Sequence, residues 1–136
     1  MILYIDGGCS GNGQKDLTKR TMISVVTDGN GNMIDERDGQ GGSNNIAELE
    51  AVLLAVSRCA FLKGDHLIYT DSKNNLYWAK GHISKKVNDY ERTRTIYKSI
   101  KEFENVAEKN NSTWRLKFIP REYNLAGHYI ENKYSL

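Results

Sequence analysis

The fold is decided by residues 2–12, whose sequence is ILYIDGGCSGN. The apolar residues at its start predict a first β-strand that ends at Asp6, because β-branched and aromatic residues are favoured in strands. The glycine-rich residues 7–13 predict a turn. An acidic residue at the end of a strand beside glycines is well placed to bind a ligand, since glycine allows the backbone to approach closely.

Four further strands are predicted downstream. Residues 21–27 (TMISVVT) are rich in β-branched side chains, and residues 28–31 (DGNG) are a strong hairpin signal. Residues 32–38 are therefore expected to form a third, more exposed strand. Shorter runs at residues 66–70 and 114–119 predict the fourth and fifth strands.

Helices are predicted from Asn45 onwards, where the spacing of the apolar residues along the sequence changes. Apolar residues then recur at helical spacing, which predicts a long helix. A short helix is predicted over residues 71–80 and ends before Gly81, an amphipathic helix contains residues 96–107, and a terminal helix runs from Asn124 to the end. The order β-β-β-α-β-α-α-β-α predicts an α/β (mixed α+β) fold, in which helices pack on the faces of a mixed sheet.

The bulk composition is that of an ordinary globular protein. The 136 residues are 39% hydrophobic and 26% charged, which predicts one domain over residues 1–136. No apolar run approaches the ~20 residues of a membrane span. Cys9 and Cys59 lack metal-ligand spacing, which predicts reduced thiols and a cytoplasmic location. We also expect a monomer with no membrane partner, and the net charge of +2 permits nucleic-acid binding without arguing for it.

Three acidic residues stand out because polar or glycine residues adjoin each of them: Asp6, Glu48 within residues 43–49 (SNNIAEL), and Asp71 within residues 67–72 (LIYTDS). Carboxylates gathered from distant segments can hold divalent metal ions against phosphate. Each residue also has an ordinary structural explanation. Asp6 could belong to a turn, and Asp71 could cap a helix. Glu48 could complete a capping box with Asn45.

Four segments carry a recognisable pattern: residues 4–12 (YIDGGCSGN), 43–49 (SNNIAEL), 69–72 (YTDS) and 120–124 (PREYN). Together and in this order they resemble the ribonuclease H type 1 family, and the resemblance covers nearly the whole chain. It implies a ribonuclease H-like fold, with a five-stranded mixed sheet and helices on both faces. It also implies metal-dependent endonuclease cleavage of the RNA strand of an RNA–DNA hybrid, which is therefore the expected partner.

The resemblance implies a catalytic and metal-binding set that consists of Asp6, Glu48, Asp71 and His128. These residues would hold two divalent cations, Mg²⁺ or Mn²⁺, roughly 4 Å apart, one activating water and the other stabilising the leaving oxygen. The resemblance further implies polar contacts with the hybrid, whose minor groove displays the 2′-hydroxyls that distinguish RNA from DNA. The residues implied for substrate binding are Cys9, Ser10, Asn12, Ser43, Asn44, Asn45, Arg121 and Asn124.

The fourth metal position departs from the family pattern. The family's last helix places an aspartate four residues after its asparagine, and four residues after Asn124 this chain has His128. A neutral imidazole can bind a metal but supplies no negative charge, and it suits Mn²⁺-type ions better than Mg²⁺. We therefore expect Mn²⁺ to support activity at least as well as Mg²⁺. The alternative for His128 is a solvated side chain on the terminal helix.

Two other functions stay open at this point. One is a junction resolvase of the same superfamily, since some of these enzymes have histidine in place of the last carboxylate. The other is an inactive or catalytically weak module that binds hybrids without cutting them. The SNN motif at residues 43–45 and the three-stranded opening favour the ribonuclease, and the three intact acids count against the inactive module.

Overall fold

The computed structural model describes residues 1–10 and 21–134, so the expectation for Asn12 lies outside the described residues. The strands are β1 (Ile2–Ser10), β2 (Thr21–Asp28), β3 (Met33–Gln40), β4 (Gly64–Thr70) and β5 (Ser112–Phe118). The helices are α1 (Asn44–Cys59), α2 (Lys73–Trp78), α3 (Tyr90–Lys109) and α4 (Leu125–Tyr134), and a 3₁₀ turn at Arg121–Tyr123 precedes α4. The predicted order of strands and α-helices is confirmed.

The five strands form one mixed sheet in the order β3-β2-β1-β4-β5. β2 pairs antiparallel with both β1 and β3. The hairpin predicted at residues 28–31 joins β2 to β3, and the Asp28 N–H donates to the Asn32 carbonyl oxygen across it at 2.9 Å. β4 pairs parallel with β1 and β5. The α/β fold with a five-stranded mixed sheet, predicted from the sequence, is confirmed.

β1 is longer than the sequence pattern predicted. Instead of ending at Asp6 and turning at Gly7, it continues to Ser10 and stays paired with β2, Gly7 lying opposite Ser24. A Cβ atom at Gly7 would lie 2.3 Å from the carbonyl carbon of Ala47 in α1. This glycine therefore marks a close contact between a helix and a strand rather than a turn, and Asp6 lies inside a strand.

Helices cover both faces of the sheet. Leu3 and Ile5 of β1 point to the face that packs against α1 and α3, where most buried apolar side chains lie. Tyr4 points to the opposite face and packs with Ala126 of α4 in a smaller cluster. Because side chains alternate along a strand, Asp6 shares the α4 face with Tyr4. Within the described part of the chain, no helix has the length and apolar character needed to span a membrane.

The two helices nearest the acidic residues are capped by serines. Ser43 rather than Asn45 caps α1, and Ser72 rather than Asp71 caps α2, each through its side-chain oxygen. The capping-box explanation of Glu48 and the helix-cap explanation of Asp71 are therefore wrong. A serine hydroxyl satisfies the free N–H groups of a helix start, so the carboxylates are available for other contacts.

Candidate active site

Two carboxylates lie just beyond the part of β1 and β4 in which these neighbouring strands pair in parallel. Asp6 is in β1 and Asp71 directly follows β4, and Tyr4 pairs with Tyr69, two residues before each acid. β1 and β4 are neighbours in the sheet. After β1 the chain continues to β2 on one side of this pair, and after β4 it continues towards β5 on the other side. In open α/β sheets, ligands bind at the carboxyl ends of strands where the strand order reverses. The two aspartates therefore lie where a binding site is expected.

Glu48 joins the two aspartates from α1. One oxygen atom from each of the three carboxyl groups lies within 4.8 Å of the others. Within the described residues, these acids are the cluster of His, Cys, Asp or Glu side chains that is close enough together to hold a metal ion. Asp6 is 1% exposed and Glu48 is 8% exposed, whereas Asp71 is partly buried. A cluster of hard oxygen donors of this kind can hold a divalent cation. We call these three residues the triad.

Glu48 is held by the close contact between α1 and β1. The Gly7 N–H donates to Glu48 Oε1 at 2.9 Å. The Ser24 hydroxyl donates to the Ala47 carbonyl oxygen at 2.7 Å and so ties α1 to β2. Both hydrogen bonds are buried, and buried polar groups in native proteins are rarely left without a partner. These contacts fix the position of the Glu48 carboxyl group relative to β1.

Asn75 supports the site from α2 and was not predicted from the sequence. Its side chain is fully buried, and its Nδ2 donates to the Glu48 carbonyl oxygen and to the Thr70 hydroxyl, both at 3.1 Å. The Thr70 hydroxyl accepts the Ser72 N–H at 3.1 Å. This network links the end of β4 to α1 and holds Asp71 near Glu48. The one sequence signal was the spacing of Asn75 three residues after Ser72, which gives no indication of burial.

Asn124 anchors the start of α4 to both strands. Its buried Nδ2 donates to the Ile5 carbonyl oxygen at 2.9 Å and to Asp71 Oδ2 at 3.0 Å. Its Oδ1 accepts the Ala126 N–H at 3.1 Å, which caps the helix. The structure therefore places Asn124 beneath the triad, where it orients Asp71.

The Arg121 guanidinium bridges the two aspartates. Its Nη1 donates to Asp6 Oδ2 at 2.6 Å and to Asp71 Oδ2 at 3.0 Å, while Nη2 lies 3.4 Å from Glu131 Oε1. Burial alone would lower the pKa of Arg121, but the charges and hydrogen bonds of Asp6 and Asp71 outweigh burial and raise this pKa. The guanidinium is therefore a permanent positive charge in the site.

His128 lies on the first turn of α4 and outside the triad. Its backbone N–H donates to the Asn124 carbonyl oxygen at 3.0 Å, and its side chain is partly buried. Its ring nitrogens are not among the ligand atoms that lie within 4.8 Å of one another. The structure therefore brings together three of the four predicted ligands. Among the described residues after β5, Arg121 forms the ion pairs with Asp6 and Asp71.

Burial favours the protonated forms of two of the carboxyl groups. Burial raises the pKa of Glu48 well above its ordinary value, and the adjacent Asp6 raises it further. Burial also raises the pKa of Asp6; contacts with Glu48 and Arg121 oppose this rise, and the charge of Asp71 adds to it. A divalent cation would reverse these shifts, because a nearby positive charge favours the ionised forms.

Two buried oxygen atoms at the centre of the site, Asp6 Oδ1 and Glu48 Oε2, have no hydrogen-bond donor among the residues that the structure describes, and a proton on one of these carboxyl groups would let the two groups hydrogen-bond to each other. A buried carboxylate oxygen without a partner costs free energy. A cation coordinated by oxygen atoms would compensate both. The donor set therefore fits a hard divalent cation.

The sequence as a whole was compared with known families. A family model described as RNase H matches residues 1–129. The chain belongs to the RNase H family. It is therefore a ribonuclease H, a hydrolase of a family that depends on divalent metal ions, and the resemblance drawn from four short segments is confirmed. No curated protein sequence matches the chain.

Solved structures of RNase H enzymes share the fold. RNase H1 from the halophilic archaeon Halobacterium salinarum NRC-1 is similar with a TM-score of 0.64 and 20% identity, over 99% of this chain and 98% of that chain. LC11-RNase H1 in complex with an RNA/DNA hybrid has a TM-score of 0.56 and 21% identity, over 90% of this chain and 87% of that chain. LC9-RNase H1, a type 1 RNase H with the type 2 active-site motif, has a TM-score of 0.61 and 15% identity, over 97% of this chain and 68% of that chain.

In this RNase H the triad opens into a cleft of about 600 Å³. The predicted substrate-binding residues that line the cleft are Cys9, Ser10, Asn44, Asn45 and Arg121. Ser43 and Asn124 do not line it, because Ser43 caps α1 and Asn124 is buried. Asp38 of β3 and Ile130 of α4 also line the cleft and were not predicted. The two residues come from different elements of the fold, and no local sequence motif distinguishes either of them.

Proposed function

We propose that this RNase H is an endonuclease that hydrolyses the RNA strand of RNA–DNA hybrids, with Asp6, Glu48 and Asp71 as catalytic metal ligands. The observation that supports this proposal is the convergence of three carboxylates from β1, α1 and the end of β4. Two of them are buried and keep oxygen atoms without a hydrogen-bond partner in the described part of the chain. Burying acids together costs stability unless a cation or a proton compensates them, so this arrangement favours a binding role.

The proposed cofactors are two divalent cations, Mg²⁺ or Mn²⁺, bound by the triad. When bound, such a pair activates water and stabilises the leaving oxygen of a phosphodiester. The neighbouring residues act by holding the acids in place, since the Gly7 N–H positions Glu48 and the Asn124 amide positions Asp71. Donor oxygens that are already ordered lower the entropic cost of binding a cation.

The cleft beside the triad suits a nucleic-acid backbone. Cys9, Ser10, Asn44 and Asn45 present small polar side chains there, and Arg121 presents a guanidinium that can bind phosphate. Small polar groups can reach the 2′-hydroxyls in the wide minor groove of an A-form duplex. LC11-RNase H1, which shares the fold, was solved in complex with an RNA/DNA hybrid. That complex supports a hybrid as the substrate of this chain.

A digestion experiment tests the proposed substrate. A labelled RNA–DNA hybrid is incubated with the protein and Mg²⁺ or Mn²⁺, beside double-stranded RNA, double-stranded DNA and a four-way DNA junction. Cleavage confined to the RNA strand of the hybrid is the expected result. Cutting of the junction would identify a resolvase instead, and binding of the hybrid without cutting in either cation would identify a binding module.

Asp6→Asn should lower cleavage at least about a thousandfold, because it removes a ligand charge from metal ions that stabilise the transition state by several kcal/mol. Hybrid binding should be retained, since the polar cleft residues are unchanged. Glu102→Gln, on the exposed surface of α3, is the matched control and should cleave like the wild type. Circular dichroism checks the fold of both variants. Turnover retained in Asp6→Asn would show that the catalytic metals are held elsewhere.

The assignment of His128 as the fourth ligand stays a prediction. His128→Asp supplies a hard anionic group and should preserve or raise activity in Mg²⁺. The ratio of the cleavage rates in Mn²⁺ and Mg²⁺ should fall in this variant, because an imidazole suits Mn²⁺ and a carboxylate suits Mg²⁺. An unchanged ratio would remove His128 from the ligand set. A large loss of activity in both cations would instead indicate proton transfer or a steric role.

A further inference from the structure

The oxygen atoms of the triad fall into two groups. Asp6 Oδ1 and Glu48 Oε2 have no hydrogen-bond partner among the described residues. The Oδ2 atoms of Asp6 and Asp71 instead accept hydrogen bonds from one nitrogen, Arg121 Nη1, at 2.6 Å and 3.0 Å. An Nη1 amino group carries two hydrogen atoms, so both are used in this bridge.

The bridge lies where a cation would be favoured. A guanidinium that donates to two carboxylates brings positive charge between anionic oxygens, which is also the electrostatic effect of a bound metal ion. The side chain of Asp6 is 1% exposed and that of Asp71 is 10% exposed. The Arg121 side chain is 48% exposed, so water screens these contacts in part, although both aspartate side chains are largely buried. Arg121 is thus the counter-ion of the two aspartates in the cation-free protein.

Gly127 provides the space for this bridge. A Cβ atom at Gly127 would lie 3.1 Å from both Cζ and Nη1 of Arg121, which is closer than an ordinary van der Waals contact. The guanidinium therefore approaches the backbone of α4 at a position without a side chain. The packing of α4, and not only the attraction of opposite charges, accommodates Arg121 over the aspartates.

We propose that Arg121 competes with divalent cations for the Asp6–Asp71 half of the triad, so that the site fills in two steps of unequal affinity. The Asp6–Glu48 half is open to a first cation, whereas the other half becomes available when Arg121 releases the two aspartates. Glu131 offers the released guanidinium a partner, since Nη2 already lies 3.4 Å from its carboxylate and that side chain is 57% exposed. This inference rests on the proposed function in requiring that cations bind the triad.

Binding of Mn²⁺ to the free protein, without substrate, tests the competition. Electron paramagnetic resonance counts the bound and free ions, and the wild type should show one tighter and one weaker site. Arg121→Gln should strengthen the weaker step at least about tenfold, because it removes a positive charge that repels the cation at short range. Arg115→Gln removes an exposed charge on β5, away from the cleft, and should bind Mn²⁺ like the wild type.

A second measurement needs no substitution and so does not depend on the folding of a variant. The guanidinium nitrogens of isotope-labelled wild-type protein are observed by NMR while Mg²⁺ is added. The Arg121 signals should change from those of a hydrogen-bonded, slowly rotating group to those of a mobile group as the weaker site fills. Unchanged Arg121 signals at saturation would overturn the inference.

The two proposals fail in different ways. If the wild type cuts the hybrid and binds cations, but Arg121→Gln binds them no more tightly than the wild type, the competition is overturned and the proposed function stands. If the wild type binds no cation at the triad, both proposals are overturned. The cleavage and binding measurements together therefore separate the two outcomes.

Discussion

The two carboxyl oxygens of Glu48 have different surroundings. Its Oε1 accepts the Gly7 N–H at 2.9 Å, and its Oε2 has no hydrogen-bond partner within the described residues. The sequence motif predicted that Glu48 faces a metal site. It could not predict how the two oxygens are used, because Gly7 lies 41 residues away and meets Glu48 only through the packing of α1 on β1.

The two cysteines should differ in reactivity. Cys9 lines the cleft and is partly exposed, whereas Cys59 is fully buried in α1, and burial raises the pKa of Cys59 to about 11. Because the thiolate is the reactive form, iodoacetamide at about pH 8 should modify Cys9 and leave Cys59 unmodified. Mass spectrometry of the native protein checks this result, and protein unfolded in urea, in which both residues should react, is the control.

Hybrid binding should protect Cys9. A saturating RNA–DNA hybrid in EDTA, where cutting is prevented, should slow the modification of Cys9 several-fold if the duplex lies along the cleft that this residue lines. The slow labelling of Cys59 reports whether the protein stays folded during the experiment. An unchanged rate at Cys9 in the presence of bound hybrid would place the duplex on another surface.

At the scale of elements, local patterns predicted the type and order of the strands and α-helices but missed several ends. The hairpin at residues 28–31 was predicted because its turn chemistry depends on adjacent residues alone. The end of β1 was missed because glycines usually mark turns. Pairing with β2 provides backbone hydrogen bonds for residues 7–10, and this tertiary contact overrides the local preference.

Gly7→Ala should destabilise the protein by about 2 kcal/mol or more, because overpacking a tight contact costs that much. The new Cβ atom would lie 2.3 Å from the carbonyl carbon of Ala47. The melting temperature should fall by roughly 6 °C, as measured by calorimetry.

Gly8→Ala is the matched control for this strand. The atom nearest to a Cβ at Gly8 is 3.7 Å away, which is an ordinary contact. Its melting temperature should therefore change by less than about 2 °C. Similar melting temperatures for Gly7→Ala and Gly8→Ala would show that α1 can move away from β1 without a large cost.

At the scale of the whole molecule, the site forms because residues 121–124 return to strand β1 at the centre of the sheet. Arg121 contacts Asp6 across 115 residues, and Asn124 contacts Ile5 across 119 residues. Strand β1 lies between β2 and β4, and helices pack on both of its faces. This position buries the acids, so the stability of the molecule should depend on pH and on bound cations.

The cation-free protein should lose the stabilisation from Asp6 and Glu48 as the pH rises above their ordinary pKa values, since these two groups then bind more protons in the folded state than in the unfolded state. The pKa values of Asp6 and Glu48 are raised above 3.8 and 4.5, and burial is the largest cause. The stabilisation from these protonated acids is complete below the unfolded values and is lost as the pH rises through the raised values. Mg²⁺ or Mn²⁺ favours the ionised acids, so its stabilising effect should grow with pH.

Calorimetric melting in EDTA and in Mg²⁺, at several pH values, checks this prediction against Glu48→Gln. That variant cannot ionise at position 48 but still offers an oxygen to the Gly7 N–H. The comparison removes the effect of groups such as Asp28, whose pKa is lowered by the backbone N–H groups of Asn32 and Asn30. In EDTA the wild type should lose stability relative to the variant as the pH rises. A constant difference would show that Glu48 does not titrate in this range.

The sequence by itself predicted the class of fold and the three acids that the structure brings together. Strand and helix periods, turn residues and short motifs depend on neighbours a few positions away, so they can be interpreted without coordinates. Only the tertiary structure decided that β1 continues through its glycines, that Asn75 is buried beneath the site, and that Arg121 rather than His128 contacts the aspartates. These features depend on distances between residues far apart in the chain, and no local pattern encodes such distances.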